Sequence, residues 1–398
     1  MQQQHYDVII GGGAMNGLTL ALALHTMSSS RLKVAVIEKQ QRSQHQGVGF
    51  DSRCVALSDG TCRKLNRIQF NSQQTLWDRI KQFAEPIKQV HVSDRGHSGI
   101  VEINASDMHL TQVGVVVSLH HMGEMFAQAL TDKANIDFFC PHTIQQLQTT
   151  AEQVNVLLDN GCELSAKLLV AADGTDSQLA KLAGITSYIE QDYHQSAVIA
   201  NVMTSVAHQG RAFERFTSDG PIALLPMRNN MMSLVFCTKQ PEQLLGFDDQ
   251  AFLQHLQQRF GWRLGKFTSV SRRTAYPLKL KRSASFIGQR VALVGNAAQT
   301  LHPVAGQGFN LGIRDVFALA EAIVNTKKDI GSEQMLQQYQ NDRIQDQQRI
   351  MNLTSNLVQS FSNDLLPFQL LRNLGLLSLS HCSGLRNLFV QPTLGRIL

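Results

Sequence analysis

The first forty residues constrain the fold more than any other stretch. Tyr6 to Ile10 is a short apolar run of strand type, Gly11-Gly12-Gly13-Ala14-Met15-Asn16-Gly17 follows, and Leu18 to Met27 reads as helix. A second apolar run, Leu32 to Ile37, ends on Glu38. Strand, glycine turn, helix, strand and terminal acid form a βαβ unit of about 30 residues, the context in which a glycine pattern signals dinucleotide binding. The glycines permit a tight turn, the helix N-terminus takes a pyrophosphate, and the Glu38 carboxylate accepts hydrogen bonds from an adenosine ribose. The register Gly12-x-Ala14-x-x-Gly17 replaces one glycine with Ala, whereas Gly11-x-Gly13-x-x-Asn16 loses the last glycine. The first is preferred, because it keeps Gly17 where helix and strand pack closely. An acid at position 38 favours an unphosphorylated ribose, as in FAD or NAD.

A second ligand loop is written late in the chain, in RVALVGNAAQTLHPVAGQGFNLGIRD from Arg290 to Asp315. The β-type run Val291 to Val294 stops at Gly295-Asn296, a loop carries His302-Pro303, and Gly306-Gln307-Gly308-Phe309-Asn310 opens a helical pattern. Glycines let a backbone approach a ligand, and a helix start offers unpaired N–H groups and positive dipole. An ordinary strand-to-helix turn rarely needs four glycines plus His-Pro.

Between these loops, Val154 to Leu158 and Leu164 to Val170 flank Asp159-Asn160-Gly161, a hairpin signal. The second strand runs into Ala171-Ala172-Asp173-Gly174, an acid and a glycine at a strand end, where α/β folds place ligands; a plain Asp-Gly turn is the alternative. Arg53 is an anion-binding candidate or a solvated surface arginine. His120 and His121 have no second pair at ligand spacing and read as structural. Residues 186–280 change character to short alternating strands with Gly, Pro and Asn turns and one helical pattern, Asp248 to Phe260. That is a mostly antiparallel β lobe whose Phe, Met, Leu and Val suit either a core or an apolar pocket. Helical periodicity runs from Val316 to about Ser360, and the tail Leu365 to Leu398 is apolar with spaced arginines, a packed cap or a surface for membrane or partner.

The formal charge is +5, but Lys and Arg are scattered without a dense basic run, so nucleic acid is not implied. Six cysteines without a CxxC pair read as free thiols in a reducing compartment. The N-terminus lacks a basic region ahead of its apolar run, and no stretch reaches the roughly 18 apolar residues of a membrane span, which gives a cytoplasmic expectation.

Only one dinucleotide fingerprint is present, with no second βαβ signature for a nicotinamide domain, so the nucleotide is read as a resident cofactor. FAD fits that role better than NAD, and the Gly306 to Asn310 helix start suits the negative charge on the pyrimidine end of a reduced flavin. The expected fold is α/β, a Rossmann-like FAD-binding domain (1–80, 112–185 and 281–345) with an inserted mostly antiparallel β-sheet substrate lobe (81–111 and 186–280) and a C-terminal helical cap (346–398). Gly12 to Gly17 with Glu38, Asp173-Gly174 with Ser177, and Gly295 to Asp315 stand in the order seen in the FAD-dependent aromatic hydroxylases related to para-hydroxybenzoate hydroxylase, and the chain resembles that family over most of its length. Within it, GFDSRCVALSDGT, VHVSDRGHSG, ANVMTSVAHQGRAFERFTSDGP and FGWRLGKF are similar to the ubiquinone-biosynthesis branch.

The resemblance implies an NAD(P)H-dependent flavoprotein monooxygenase: resident FAD, NADPH or NADH as transient donor, O2 as co-substrate, and a flavin C4a-hydroperoxide that hydroxylates the ring of a polyprenylated phenol of the 2-octaprenyl-6-methoxyphenol type. A sister reaction at another ring position, and a reductase or oxidase on the same fold, remain open. By position, Gly12, Gly13, Ala14, Gly17 and Glu38 would bind the adenosine half, Arg53 the flavin side, and Asp173 the FAD and nicotinamide region. Gly295, Asn296, Gly306, Gln307, Gly308, Phe309 and Asn310, with Pro303, would line the flavin; His302 is either near the chemistry or orders the loop. Two positions depart from the family: Asn296 stands where an aspartate is usual, losing a charge, and Ala180 where an arginine often closes the Asp-Gly motif. The implied partners are the apolar prenylated phenol and a quinone-biosynthesis protein complex, with peripheral contact at the inner membrane.

Overall fold

Val8, Ile9 and Ile10 have no exposed surface, so their unbroken apolar run belongs to a strand covered on both faces. That strand is β1 (Gln4–Gly11), followed by α1 (Met15–Met27) and β2 (Val34–Ile37). The structure is a computed structural model that describes residues 4–41, 53–96, 99–301, 306–327, 329–362, 391 and 394–395. Next come β3 (Cys54–Ser58), α2 (Asp59–Leu65), α3 (Leu76–Ile80), β4 (Glu85–Ile87), β5 (Gln89–Asp94), β6 (Ile100–Asn104), β7 (Gly114–Ser118) and α4 (Leu119–Leu130). β8 (Ile136–Phe139), β9 (Ile144–Thr149), β10 (Val154–Leu158), β11 (Glu163–Ala171) and α5 (Gln178–Leu182) precede the lobe. The lobe carries β12 (Ser187–Thr204), β13 (Arg211–Phe216), β14 (Ile222–Met227), β15 (Met231–Thr238), α6 (Pro241–Gly246), α7 (Asp249–Phe260), β16 (Phe267–Val270) and β17 (Thr274–Ser283). β18 (Ile287–Gly288), β19 (Val291–Leu293), β20 (Gln299–Thr300), α8 (Gln307–Asn325) and α9 (Glu333–Ser362) complete it.

One sheet runs β18-β19-β11-β1-β2-β8, and its β19, β11, β1, β2 and β8 are mutually parallel. Parallel pairing gathers the carboxyl ends of β1, β2, β11 and β19 at a single edge, where open α/β sheets bind ligands. α1 is apolar all round, with Leu20, Ala21, Leu22, Ala23 and Leu24 fully buried, because it lies between this sheet and α8. The Asp159-Asn160-Gly161 turn joins β10 and β11 as an antiparallel hairpin, with Gly161 at φ +80°.

The second sheet, β20-β17-β12-β15-β14-β13-β5-β6 with β16 on β12, is the lobe. β13 and β5 pair in parallel, and the other pairs are antiparallel. On one face Val198, Ala200, Phe213, Leu224, Leu234 and Phe236 pack on Phe252, Leu256 and Phe260 of α7. The period of two puts Ile199, Glu214, Ala223, Leu225, Val235 and Cys237 on the other. A third sheet, β3-β7-β4, meets that second face through Ile87, Val116, Ala212 and Leu225.

Several expected boundaries move. The stretch 81–111 divides between two sheets: the Lys88 N–H donates to the Gly210 carbonyl (2.8 Å), which turns the chain from β4 in the third sheet to β5 in the lobe. β20, expected in the FAD-binding part, forms the edge of the lobe sheet. The break at 345/346 falls inside α9, which no Gly or Pro interrupts. The lobe also holds a second helix, α6, started by Pro241. Of the apolar tail, Leu394 is buried beside Ala212 and its carbonyl accepts from the Gly60 N–H (2.9 Å); apart from 391 and 394–395 the tail lies outside the described residues. Among the described residues no helix is long and apolar enough to cross a membrane.

Candidate active site

The turn after β1 is pressed against β11. Gly12 has φ +111°, and a Cβ there would lie 2.4 Å from the Ala172 carbonyl oxygen, so only glycine fits. At Gly17 a Cβ would lie 1.9 Å from the Gly12 oxygen, which brings the start of α1 against the loop. Ala14 caps α1 without a side-chain hydrogen bond, leaving first-turn N–H groups for an anion. Glu38 leaves the end of β2 and accepts from the Gly13 N–H (2.7 Å) and the Gln40 N–H (2.9 Å).

Asp173 follows β11 and accepts from the Leu179 N–H through Oδ2 (3.1 Å), while its buried Oδ1 has no partner among the described residues. Ser177 caps α5 by accepting from the Ala180 N–H (2.9 Å), and Ala180 is buried. Arg53 is exposed; its Nη1 donates to the Tyr276 hydroxyl of β17 (3.3 Å), joining the start of β3 to the lobe.

Gly295 follows β19 at φ +61°, and its N–H donates to Asp315 Oδ2 (3.1 Å). Asn296 is exposed and makes no hydrogen bond to a described residue. Gly306 caps α8 in the left-handed region at φ +59°. A Cβ at Gly308 would meet no described residue within 4 Å. Gln307 is buried and Phe309 half-buried against the main core. The Asn310 side chain is committed to the protein. Its Oδ1 accepts from Ser58 N–H (2.9 Å) and Thr61 Oγ1 (2.8 Å), and its Nδ2 donates to the Ala56 (2.9 Å) and Gly306 (2.8 Å) carbonyls. With its side chain spent on protein, and its N–H past the unpaired first turn, Asn310 braces the cradle that Gly306 to Phe309 present. His302 and Pro303 lie outside the described residues. His121 is structural, bonded to Ser118 Oγ (2.7 Å) and stacked on Phe83.

Three residues of this site were not singled out from the sequence. Asn16, read only as a lost glycine, fills the space left by Gly295 and Gly312, where a Cβ would approach its Nδ2 to 1.9 Å and 2.6 Å; its buried Oδ1 has no partner. Asp315, with no exposed surface, also accepts from Arg343 Nε (2.8 Å) and Gln347 Nε2 (3.1 Å) through Oδ1. Burial opposes the Arg343 charge, but the carboxylates of Asp315 and Asp346 more than reverse this and hold the guanidinium charged. Asp315 and Arg343 stand 28 residues apart on different helices, so no local spacing in the sequence pairs them.

Glu38, the bare starts of α1 and α8 and the orphaned Asp173 oxygen suit the donor and acceptor pattern of FAD. A family described as FAD binding domain matches residues 5–354. The ubiquinone hydroxylase UbiL of Rhodospirillum rubrum is 32% identical over 396 residues, covering 98% of this chain and 90% of that protein. The 3-demethoxyubiquinol 3-hydroxylase of Escherichia coli is 29% identical over 402 residues, covering 99% and 100%. Among solved structures, p-nitrophenol 4-monooxygenase PnpA from Pseudomonas putida superposes with a TM-score of 0.81 at 18% identity, covering 100% of both chains, which is a likeness of fold.

Proposed function

We infer the reaction from one premise: the chain belongs to the FAD-dependent hydroxylases of ubiquinone biosynthesis and is a flavoprotein monooxygenase. We propose that it hydroxylates the aromatic ring of a polyprenylated phenol of the 2-octaprenyl-6-methoxyphenol type. The observation that carries this is the second face of the lobe sheet. Val92, Ile199, Ala223, Leu225 and Val235 are half-exposed there, whereas their neighbours on the opposite face are buried. An apolar face of this kind suits an apolar ring and chain; each buried CH2 contributes about 0.8 kcal/mol.

Bound FAD, reduced by NADH or NADPH, activates O2 and supplies an electrophilic oxygen. Glu38 would hold the adenosine ribose, the α1 amides the pyrophosphate, and Asn296 a ribitol hydroxyl. The N–H groups of Gln307 to Phe309 would stabilise negative charge at the pyrimidine end, and Asp173 Oδ1 would accept from the cofactor or the nicotinamide. The apolar face excludes water, which keeps the activated oxygen for the ring.

Purified protein supplied with FAD, NADPH and 18O2 should place a single labelled oxygen on a prenylated phenol; NADPH oxidation that yields only H2O2 would favour an oxidase on this fold. A second reading, hydroxylation at another ring carbon, is favoured by the likeness to the Escherichia coli 3-demethoxyubiquinol 3-hydroxylase. The ring intermediate that accumulates in a deletion strain, identified by mass spectrometry, decides between them. Delivery of so apolar a substrate favours peripheral membrane contact or a quinone-biosynthesis complex; recovery of the protein from neither fraction would remove that part.

A further inference from the structure

In the middle of its apolar row, the half-exposed lobe face carries a carboxyl group that nothing in the reaction described so far uses. Glu214 sits in the middle of β13, paired with Val92 of β5 on one side and Ala223 of β14 on the other, and continued across the sheet by Val235 and Ile199. Its side chain makes no hydrogen bond or ion pair with any described residue. The strand's arginines point the other way: Arg215 Nε donates to the Arg259 carbonyl oxygen (3.1 Å) on the α7 side. An acid is a poor choice for an apolar strand position, and its desolvation is offset by no contact here. Such a group is explained by a partner that comes and goes.

Its place fits the reaction. Two residues earlier on the same face, Ala212 packs against Ile87 and Val116 of the third sheet. Ala56 of that sheet lies beside Gly306, where an added Cβ would be 3.3 Å from its own. The face therefore runs from the flavin cradle, past Glu214, to the apolar group Ala197, Cys237 and Leu278. We propose that Glu214 receives the phenol hydroxyl of the substrate and takes its proton, an assignment that rests on the phenol reading above.

The step balances. The phenol O–H bond breaks, the proton passes to the Glu214 carboxylate, and the electron pair left on oxygen enriches the ring carbons ortho and para to it. The enriched carbon bonds to the electrophilic oxygen that the established activity supplies from O2 and NAD(P)H. The proton on that carbon then leaves to water as the ring regains aromaticity, and Glu214 returns its own proton to the phenolate oxygen.

Glu214 keeps some exposed surface, and apolar residues flank it on both neighbouring strands. Burial pushes its pKa up to about 7, near the operating range that suits a general base. Cys237 on β15 is a titratable group on this face that interacts with Glu214, and burial keeps its thiol protonated.

The test compares the wild-type holoenzyme with Glu214→Gln, using a phenol with one five-carbon prenyl group and a polyfluorinated analogue, one ring carbon left free, whose hydroxyl is ionised below neutral pH. In Glu214→Gln, 18O incorporation should fall about 10²- to 10⁴-fold while FAD retention and flavin reduction by NADPH are unchanged. The wild-type rate should rise through an inflection near pH 7 with the parent phenol, an inflection the variant lacks and the fluorinated phenol removes. Should the variant fail to hold FAD, the wild-type profiles decide: the same inflection with the already ionised phenol overturns the assignment. Wild type that hydroxylates, with Glu214→Gln within about threefold and the same profile, overturns Glu214 alone. Wild type that oxidises NADPH without labelling either phenol overturns the phenol reading together with it.

Discussion

Removing the Asp315 carboxylate should loosen the flavin loop and destabilise the whole chain by a predictable amount. Asp315 accepts the Gly295 N–H through one oxygen and Arg343 Nε and Gln347 Nε2 through the other, with Arg343 Nη1 also donating to Asp346 (2.6 Å). Taking one partner from a buried ion pair costs about 3–5 kcal/mol, because the remaining charge stays buried. Asp346 still pairs with Arg343, which places Asp315→Ala near the lower end, about 3–4 kcal/mol. Asp315→Asn keeps an acceptor oxygen and loses the charge, so it should cost about 2 kcal/mol. Unfolding entropy of roughly 2.1 cal/mol/K per residue gives about 0.8 kcal/mol/K for a chain this long. Asp315→Ala should then lower Tm by about 4–5 °C and Asp315→Asn by about half as much, with faster FAD release in the first because Gly295 loses its anchor. Calorimetry and flavin fluorescence measure both. An Asp315→Ala protein that melts within 1 °C of wild type with unchanged FAD release would refute the idea that this network supports the loop.

Gly17→Ala opposes two rules: helix propensity predicts a gain of roughly 0.5–1 kcal/mol, but its Cβ would lie 1.9 Å from the Gly12 oxygen, so a loss of about 1–3 kcal/mol and of FAD retention is expected in melting and absorbance measurements. Asn296→Asp restores a charged acceptor at an exposed loop position, and a charge-assisted bond is roughly twice as strong; titration should show several-fold tighter FAD binding. Glu214 holds its proton to about pH 7 when folded and only to the ordinary carboxylate range when unfolded. Its contribution to stability is thus whole below the ordinary range and lost as pH rises through 7, on the order of 3 kcal/mol at most. Tm compared at pH 5 and pH 8 should drop more for wild type than for Glu214→Gln; equal drops would contradict the buried environment.

What the sequence carried well was local. The Gly12 to Glu38 unit, the Asp159-Asn160-Gly161 hairpin and the alternating lobe strands are each coded by residues within one turn or pair of strands. What it concealed depends on distant partners. Asp315 and Arg343 are 28 residues apart, and either one alone looks like a solvated helix position. Asn310 looked like part of a ligand loop, because its four partners come from Ala56, Ser58, Thr61 and Gly306. Glu214 alternates correctly within β13, but alternation cannot say which face of a strand looks at a cofactor. The two-residue β20 is too short to carry a period of its own.

That short strand changes how the two halves work together. Lys281 pairs with Thr300 and Arg282 with Gln299, while the Ser283 N–H donates to the Ala298 carbonyl (2.9 Å) and Ser283 Oγ to the Ala297 carbonyl (3.0 Å). The segment between Gly295 and Thr300 is therefore hydrogen-bonded into the sheet that carries Glu214, and Arg53 to Tyr276 adds a second tie nearby. Oxygen transfer needs the ring carbon held close to its target, and a positioning error of about 1 Å can cost 10²-fold. A cradle on one domain and a substrate face on another would have to recover that precision at each closure. Here the segment that leads toward the cradle is tied to the lobe sheet, so the register of β17 against β20 helps hold the two parts in place. A slip of one residue would shift the Gln299–Thr300 segment by about 3.4 Å along the lobe and turn its side chains to the other face, so this short pairing sets where the loop leaves the sheet.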